Sequence, residues 1–270
     1  MDEFEKVRHE ADAVKQAREA TSLLNLYQQR GHELARLRRE AINRAAQESG
    51  ATYADLAKLV GISKARVTQI RQAGPPSERG FFGVGPIDVA VPLREIPGRP
   101  AGGVAAEDAE AQRIMGDLLK SLSFDVRSVT IPRGEWTPAH EAVIICGPKS
   151  SDVSAELIAQ DPHLEFAEWE GRWMIAERAS DTVFRSPLDE GQQSNDVAYV
   201  GRLSRDGRTT LLIAGIHALG SIGAVSYLEA NLPSLHREVG AENFSMVIRS
   251  SFDGLTAQTT EAVWGPTTHP

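Results

Sequence analysis

The chain of 270 residues holds a single cysteine, Cys146, so neither a disulfide framework nor a cysteine-based zinc site can be built from it. Its seven histidines (9, 32, 140, 163, 217, 236 and 269) include no HxxxH pair, and no metal centre is expected. No apolar run is long enough to span a bilayer and no secretory leader is recognisable, which predicts a cytoplasmic protein without a membrane partner. There is no Walker A loop, no dinucleotide fingerprint and no Gly-x-Ser-x-Gly elbow, so no cofactor and no catalytic residue is assigned. Lysine is scarce beside arginine and alanine, a balance that suggests a high-GC bacterial genome.

What the chain does have is an uneven charge. The net value of −8 argues against a protein coated in nucleic acid. Residues 1–79 nevertheless carry 14 basic against 11 acidic side chains, whereas residues 80–270 carry 15 against 26. A small basic head on an acidic body suits a protein whose nucleic-acid contact is confined to one module.

The head is organised around 52–72, TYADLAKLVGISKARVTQIRQ. Thr52 and Asp55 form a capping-box pattern ahead of a short helix with Leu56, Ala57, Leu59 and Val60 on its apolar side. Gly61 suits the left-handed turn residue, Ile62 plugs the core and Ser63 caps the next helix. Val67 and Ile70 lie one turn apart on the buried side, leaving Lys64, Arg66, Thr68, Gln69 and Arg71 to face outward. A short helix of this kind fits the DNA major groove. The bland alternative is a helical hairpin that merely packs a core.

Through Ala57, Gly61, Ile62, Ser63, Arg66, Val67, Gln69 and Ile70 the stretch resembles the helix-turn-helix of region four of bacterial sigma factors. The resemblance covers about twenty residues and implies double-stranded DNA as a partner. By that analogy Lys64, Ala65 and Gln69 face base edges, while Arg66, Thr68 and Arg71 meet phosphate or flanking positions, with Ser63 at the helix start. No promoter-melting region accompanies the motif, so a sigma factor's recruitment of core polymerase is not implied.

The rest of the chain reads as follows. Residues 2–29 are predicted as one helix in which Phe4, Val7, Ala11 and Val14 keep heptad spacing, read as a dimerising seam for a homodimer, or else as a face packed on its own domain. Gly31 interrupts the pattern, and 32–48 is a second helix with Leu34, Leu37, Ala41, Ile42 and Ala45 on one face. The expected division is a helical dimerisation and DNA-binding domain at 1–73, a Pro/Gly linker at 74–85 and an α/β ligand-sensing domain at 86–270. In the last of these, strands at 87–93, 124–131, 142–146, 197–203, 209–216, 244–252 and 256–263 alternate with helices at 107–121, about 152–159 and 218–236. A hairpin is expected at 164–177 and a loop at 95–105. The fold class is therefore α plus α/β, with a mainly parallel, Rossmann-like sandwich behind the helical module.

Two strand ends carry ligand chemistry. AVIIC runs into Gly147, Pro148, Lys149, Ser150 and Ser151, and LLIAG runs into His217, Gly220 and Ser221. Helix-start amides, hydroxyls and an ammonium suit a small anionic, nucleotide-like ligand if the two strands are neighbours. Arg185 to Asp189 and Asp196 are candidates for the same cleft. The expected protein is a DNA-binding transcription regulator that senses such a ligand and is not an enzyme. The alternative is a nucleotide-processing enzyme, a hydrolase or glycosidase using His217, whose head targets or dimerises it.

Overall fold

The computed structural model describes residues 2–132, 134, 136–191, 194–205 and 207–270. The chain opens with helix α1 (Glu3–Arg8), turns through 9–12, and enters a helix of 37 residues, α2 (Ala13–Ser49), capped by Asp12. Two expectations fail here. The heptad from Phe4 to Val14 is broken by the turn, and Gly31 interrupts nothing: it sits inside α2. One glycine costs about 1 kcal/mol against alanine in a helix interior, too little to stop a helix that gains contacts at both ends.

Two short helices, α3 (Tyr53–Val60) and α4 (Lys64–Ala73), follow and pack on the C-terminal half of α2. Thr52 and Asp55 cap α3 reciprocally, Gly61 takes φ 76°, and Ser63 accepts the Arg66 amide at 3.1 Å. Leu56, Ala57, Val67 and Ile70 join Ile42 of α2 in a small core of their own.

Residues 74–85, expected as a linker, are instead seated in the body. Ser77–Phe82 form a 3-10 turn whose Arg79, Phe81 and Phe82 are buried. Arg79 donates to the carbonyls of Leu122 (2.9 Å) and Val84 (2.8 Å) and to Oε1 of Gln29 on α2 (2.8 Å), and stacks 3.7 Å from the Phe124 ring centre. Arg202 grips the same turn from the body side, donating to the Phe81 carbonyl at 2.8 Å. None of these arginine hydrogen bonds goes to a carboxylate, and burial lowers both guanidinium pKa values to about 10.

The body runs β1 (Ile87–Pro92), β2 (Arg94–Ile96), β3 (Arg99–Gly103), α5 (Ala106–Ser121), β4 (Val126–Ile131), β5 (Glu141–Ile145), α6 (Asp152–Ala159), β6 (Leu164–Trp169), β7 (Arg172–Glu177), β8 (Val183–Arg185), β9 (Asn195–Arg205), β10 (Arg208–Gly215), α7 (Ala218–Val239), β11 (Asn243–Asp253) and β12 (Thr256–His269). The region expected as the 95–105 loop holds the β2–β3 hairpin. Seven strands form one sheet in the order β12-β11-β9-β10-β5-β1-β4. It is mixed rather than mainly parallel: β10, β5, β1 and β4 run parallel, while β10-β9, β9-β11 and β11-β12 pair antiparallel. The short connections from β9 to β10 and from β11 to β12 account for two of those antiparallel pairs, because parallel neighbours need a long crossover.

Both faces of the sheet are covered, which explains the unbroken apolar strands. Val89, Val91, Val143, Ile145, Leu211 and Ile213 point to α5 and α7. The alternate residues Ala90, Ala142, Ile144, Leu212 and Ala214 face α6 and the β6-β7-β8 sheet. Among the described residues no helix is long and apolar enough to cross a membrane.

Candidate functional site

Two surfaces carry the sequence-predicted residues. The first is α4. With Val67 and Ile70 turned into the small core, Lys64, Ala65, Arg66, Thr68 and Gln69 are all exposed, as is the capping Ser63. Arg66 Nη1 donates to Gln69 Oε1 at 2.5 Å, so the two side chains lie together on the outer face. Thr68 Oγ1 is turned back on the Lys64 carbonyl at 3.2 Å. Arg71 is used differently. Its Nε donates to Asn43 Oδ1 of α2 at 2.8 Å and its guanidinium lies 4.2 Å from the Tyr53 ring centre, so it ties α4 to both other helices.

The second surface is the carboxyl end of the parallel strands. β5 and β10 are neighbours, with Ile145 opposite Ile213 and the Cys146 amide donating to the Ile213 carbonyl at 3.0 Å. Their following loops therefore start side by side, and a Cβ on Gly147 would lie 3.6 Å from the Gly215 carbonyl oxygen. Lys149 and Ser150 are exposed, and Ser151 caps α6 by accepting the Ser154 amide. Arg94 holds Asp108 of α5 beside this edge at 2.8 Å, and burial raises the Asp108 pKa.

The α7 side is closed by an internal carboxylate. Asp196, at the start of β9 and fully buried, accepts the His217 amide (3.2 Å) and the Gly220 amide (2.7 Å) on Oδ2. Its Oδ1 accepts the Ser186 hydroxyl (2.6 Å) and its neighbour's amide from Val197 (2.8 Å). A negative group at a helix start is favoured by the dipole and the free amides, and here the protein supplies that group itself. Gly220 is required by this approach: a Cβ there would stand 2.6 Å from the Val197 carbonyl and 2.9 Å from Asp196 Oδ2. Ser221 is also turned inward, its hydroxyl accepting the Gly215 amide at 3.1 Å. Burial raises the Asp196 pKa, with the hydrogen bonds from Ser186, Val197 and Gly220 and the nearby His217 pulling the other way.

Of the expected ligand residues, then, Lys149 and Ser150 are exposed beyond β5, Gly147 is half-buried beside Gly215, and Ser151 is taken up as the α6 cap. Gly220 and Ser221 build the wall. His217 stands on the rim, its Nε2 2.9 Å from Asp189 Oδ1. Asp189 and Ser186 also border a cavity of about 210 Å³ shared with Trp169, Trp173 and Arg185. A wider groove of about 1300 Å³ lies at the opposite end of the sheet, between α1–α2 and the strand starts near Val84, His140 and Arg208.

Sequence reading did not find the structural parts of Asp196 and Gln29. Asp196 reaches the His217 and Gly220 amides and Gln29 reaches Arg79, all more than twenty positions away, and no local pattern marks such a partner. Cys146 sits under the same edge, and burial pushes its thiol pKa up to about 12, which removes it as a nucleophile. Among the described residues no group of three His, Cys, Asp or Glu side chains could hold a metal ion. No family model, curated protein or solved structure matches this chain.

Proposed function

We propose that this protein is a DNA-binding transcription regulator, with α3 and α4 as a helix-turn-helix and the body as a sensor of a small anionic, nucleotide-like ligand. The observation that carries the reading is the division of α4. Val67 and Ile70 hold it on a separate small core, while Lys64, Ala65, Arg66, Thr68 and Gln69 are all presented outward. A basic and amide-bearing helix face held clear of its support is what reading base edges requires. Lys64 is suited to guanine and Gln69 to adenine, each contributing about 1–3 kcal/mol of discrimination. Arg66 reaches phosphate, and Arg71 positions α4 through Asn43 and Tyr53. The body's acidity keeps non-specific contact weak. Binding as a homodimer matches paired half-sites.

For the ligand, the closed α7 start leaves the 147–151 loop as the anion-facing side, with Lys149 as its cation. The Rossmann-like part of this reading rests on the parallel strands β10, β5, β1 and β4 alone. Selection from a random double-stranded DNA pool tests the main reading. An enriched motif should appear, and the Lys64→Ala, Gln69→Ala double variant should lose it while keeping its thermal stability. Retention of the full motif by that variant would remove α4 from recognition.

The second reading, a nucleotide-processing enzyme, draws on the His217–Asp189 pair, a geometry that orients an imidazole for proton transfer. Turnover of a nucleotide by the full chain, abolished by His217→Ala, would establish it in place of sensing.

A further inference from the structure

Helix α2 is covered on one side by the body and the 77–82 turn, and from Ile42 onward by α3 and α4. Another side is bare and apolar. Leu24 and Leu34 are 62% and 66% exposed and Tyr27 is 42% exposed, in the middle of a well-formed helix. Around them Ala17, Gly31 and Ala41 are exposed and Ala20 is half-buried. Positions 17, 20, 24, 27, 31, 34, 38 and 41 step alternately by three and four, the spacing of a coiled-coil seam. Arg38 is its one charged member. The stripe stops where Ile42 turns under α3 and α4.

We propose that a second copy of this chain covers the stripe, with its α2 antiparallel and the twofold axis level with residue 29. This rests on the homodimer in the reading above and gives it a surface; it does not rest on DNA or ligand binding. The symmetry of the stripe carries it. About residue 29, Leu24 meets Leu34 of the other copy, Tyr27 meets Gly31, Ala17 meets Ala41 and Ala20 meets Arg38. Each layer then pairs one member of the three-four repeat with its complement, as antiparallel coils do, and the bulkiest residue falls opposite the smallest. A parallel pair would set Tyr27 on Tyr27 and Gly31 on Gly31, alternating excess with void, which close packing penalises.

Gly31 is the second observation. A Cβ there would meet nothing within 4 Å in its own chain, so intramolecular packing does not explain a glycine in mid-helix. The ring of Tyr27 from a partner does. On one flank Leu23 lies about 3 Å along the axis from Leu37 of the other copy, and Leu37 is itself 45% exposed. The seam runs ~36 Å at 1.5 Å per residue. With its flanks it covers on the order of 1,000 Å² in total, the lower bound for a specific interface.

Sedimentation of the full chain across the micromolar range tests this. A monomer–dimer equilibrium is expected, weakened roughly a hundredfold by Leu24→Asp or Leu34→Asp because a carboxylate would enter the seam. Both side chains are exposed in the single chain, so melting temperature should hold when read at concentrations where the wild type is monomeric. Orientation is read by oxidising mixed Leu24→Cys and Leu34→Cys chains. These should link to each other, whereas either alone should not, since residues 24 of an antiparallel pair stand ~15 Å apart and a disulfide needs about 4 Å between Cβ atoms. Buried Cys146 does not compete. A monomer at every concentration, a dimer indifferent to both aspartates, or a Leu24→Cys self-link would each overturn the proposal. A monomer that still selects a DNA motif would do so while leaving the DNA reading intact.

Discussion

The head and the body handle their polar groups in opposite ways. The α3–α4 pair stands on five buried side chains, Ile42, Leu56, Ala57, Val67 and Ile70, and leaves Lys64, Arg66 and Gln69 exposed on its outer face. The body clamps its sheet between two large apolar clusters and spends its buried polar groups internally, Asp196 on α7, Asp161 on Tyr199, Arg202 on the 77–82 turn. Small cores sit at the low end of local stability. The head is therefore the part whose order depends on its surroundings, and the body is the part that holds α2 in place. A helix start can look alike in sequence and be open in one region and filled in the other: α4 is capped by its own Ser63, α7 by an acid from a strand.

The comparison breaks first at the junction. Arg79→Ala removes three hydrogen bonds and the stack on Phe124, leaving the Leu122 and Val84 carbonyls buried. A loss of about 3–4 kcal/mol is expected from unsatisfied buried groups, read by chemical denaturation, with proteolytic sensitivity appearing in both regions. Sensitivity confined to the head would show that the body does not need the turn.

Next comes the filled helix start. Asp196→Asn turns an amide donor toward the His217 and Gly220 amides or, flipped, toward the Val197 amide, and about 2–3 kcal/mol of stability should go. The pH dependence is specific. Burial holds the Asp196 pKa above the unfolded value of about 3.9. As pH rises from there through the raised folded value, the unfolded chain has already released a proton that the native chain keeps, so native stability falls. The variant lacks this contribution, and its deficit against the wild type should shrink across that window. A deficit that grows instead would mean the carboxylate is favoured ionised in the fold.

Smaller effects sharpen the contrast. Ser63→Ala should cost about 1 kcal/mol, and hydrogen exchange should place that loss in α3 and α4 alone. An equal change in the body would contradict two separable cores. At the weak end, the Cys146 thiol should resist labelling in the native protein at mildly alkaline pH, because burial keeps it protonated up to about 12. Fast native labelling would mean that the β5 edge opens.

Much of the fold was legible because it rests on local rules. The Thr52–Asp55 box, the turn at Gly61, the Ser63 cap and the apolar run AVIIC each act over a few residues, and each appears in the structure where expected. Gly31 does not end the helix, because contacts on either side of it hold α2. Residues 74–85 are no free linker, because proline and glycine mark a chain bend whether it lies in the open or is buried. The two apolar strands that start the 147 and 215 loops side by side were legible in sequence, whereas the filling of the α7 start by Asp196 was not.

By itself the sequence determined the caps, the apolar periodicities and the charge split, because these are properties of neighbouring residues. Only the tertiary structure decided which helix start is already filled by Asp196, that Arg79 joins Gln29 to the body, and that Leu24, Tyr27 and Leu34 stay uncovered. Those outcomes depend on groups far apart in the chain competing for the same buried space, and no local pattern records which of them wins.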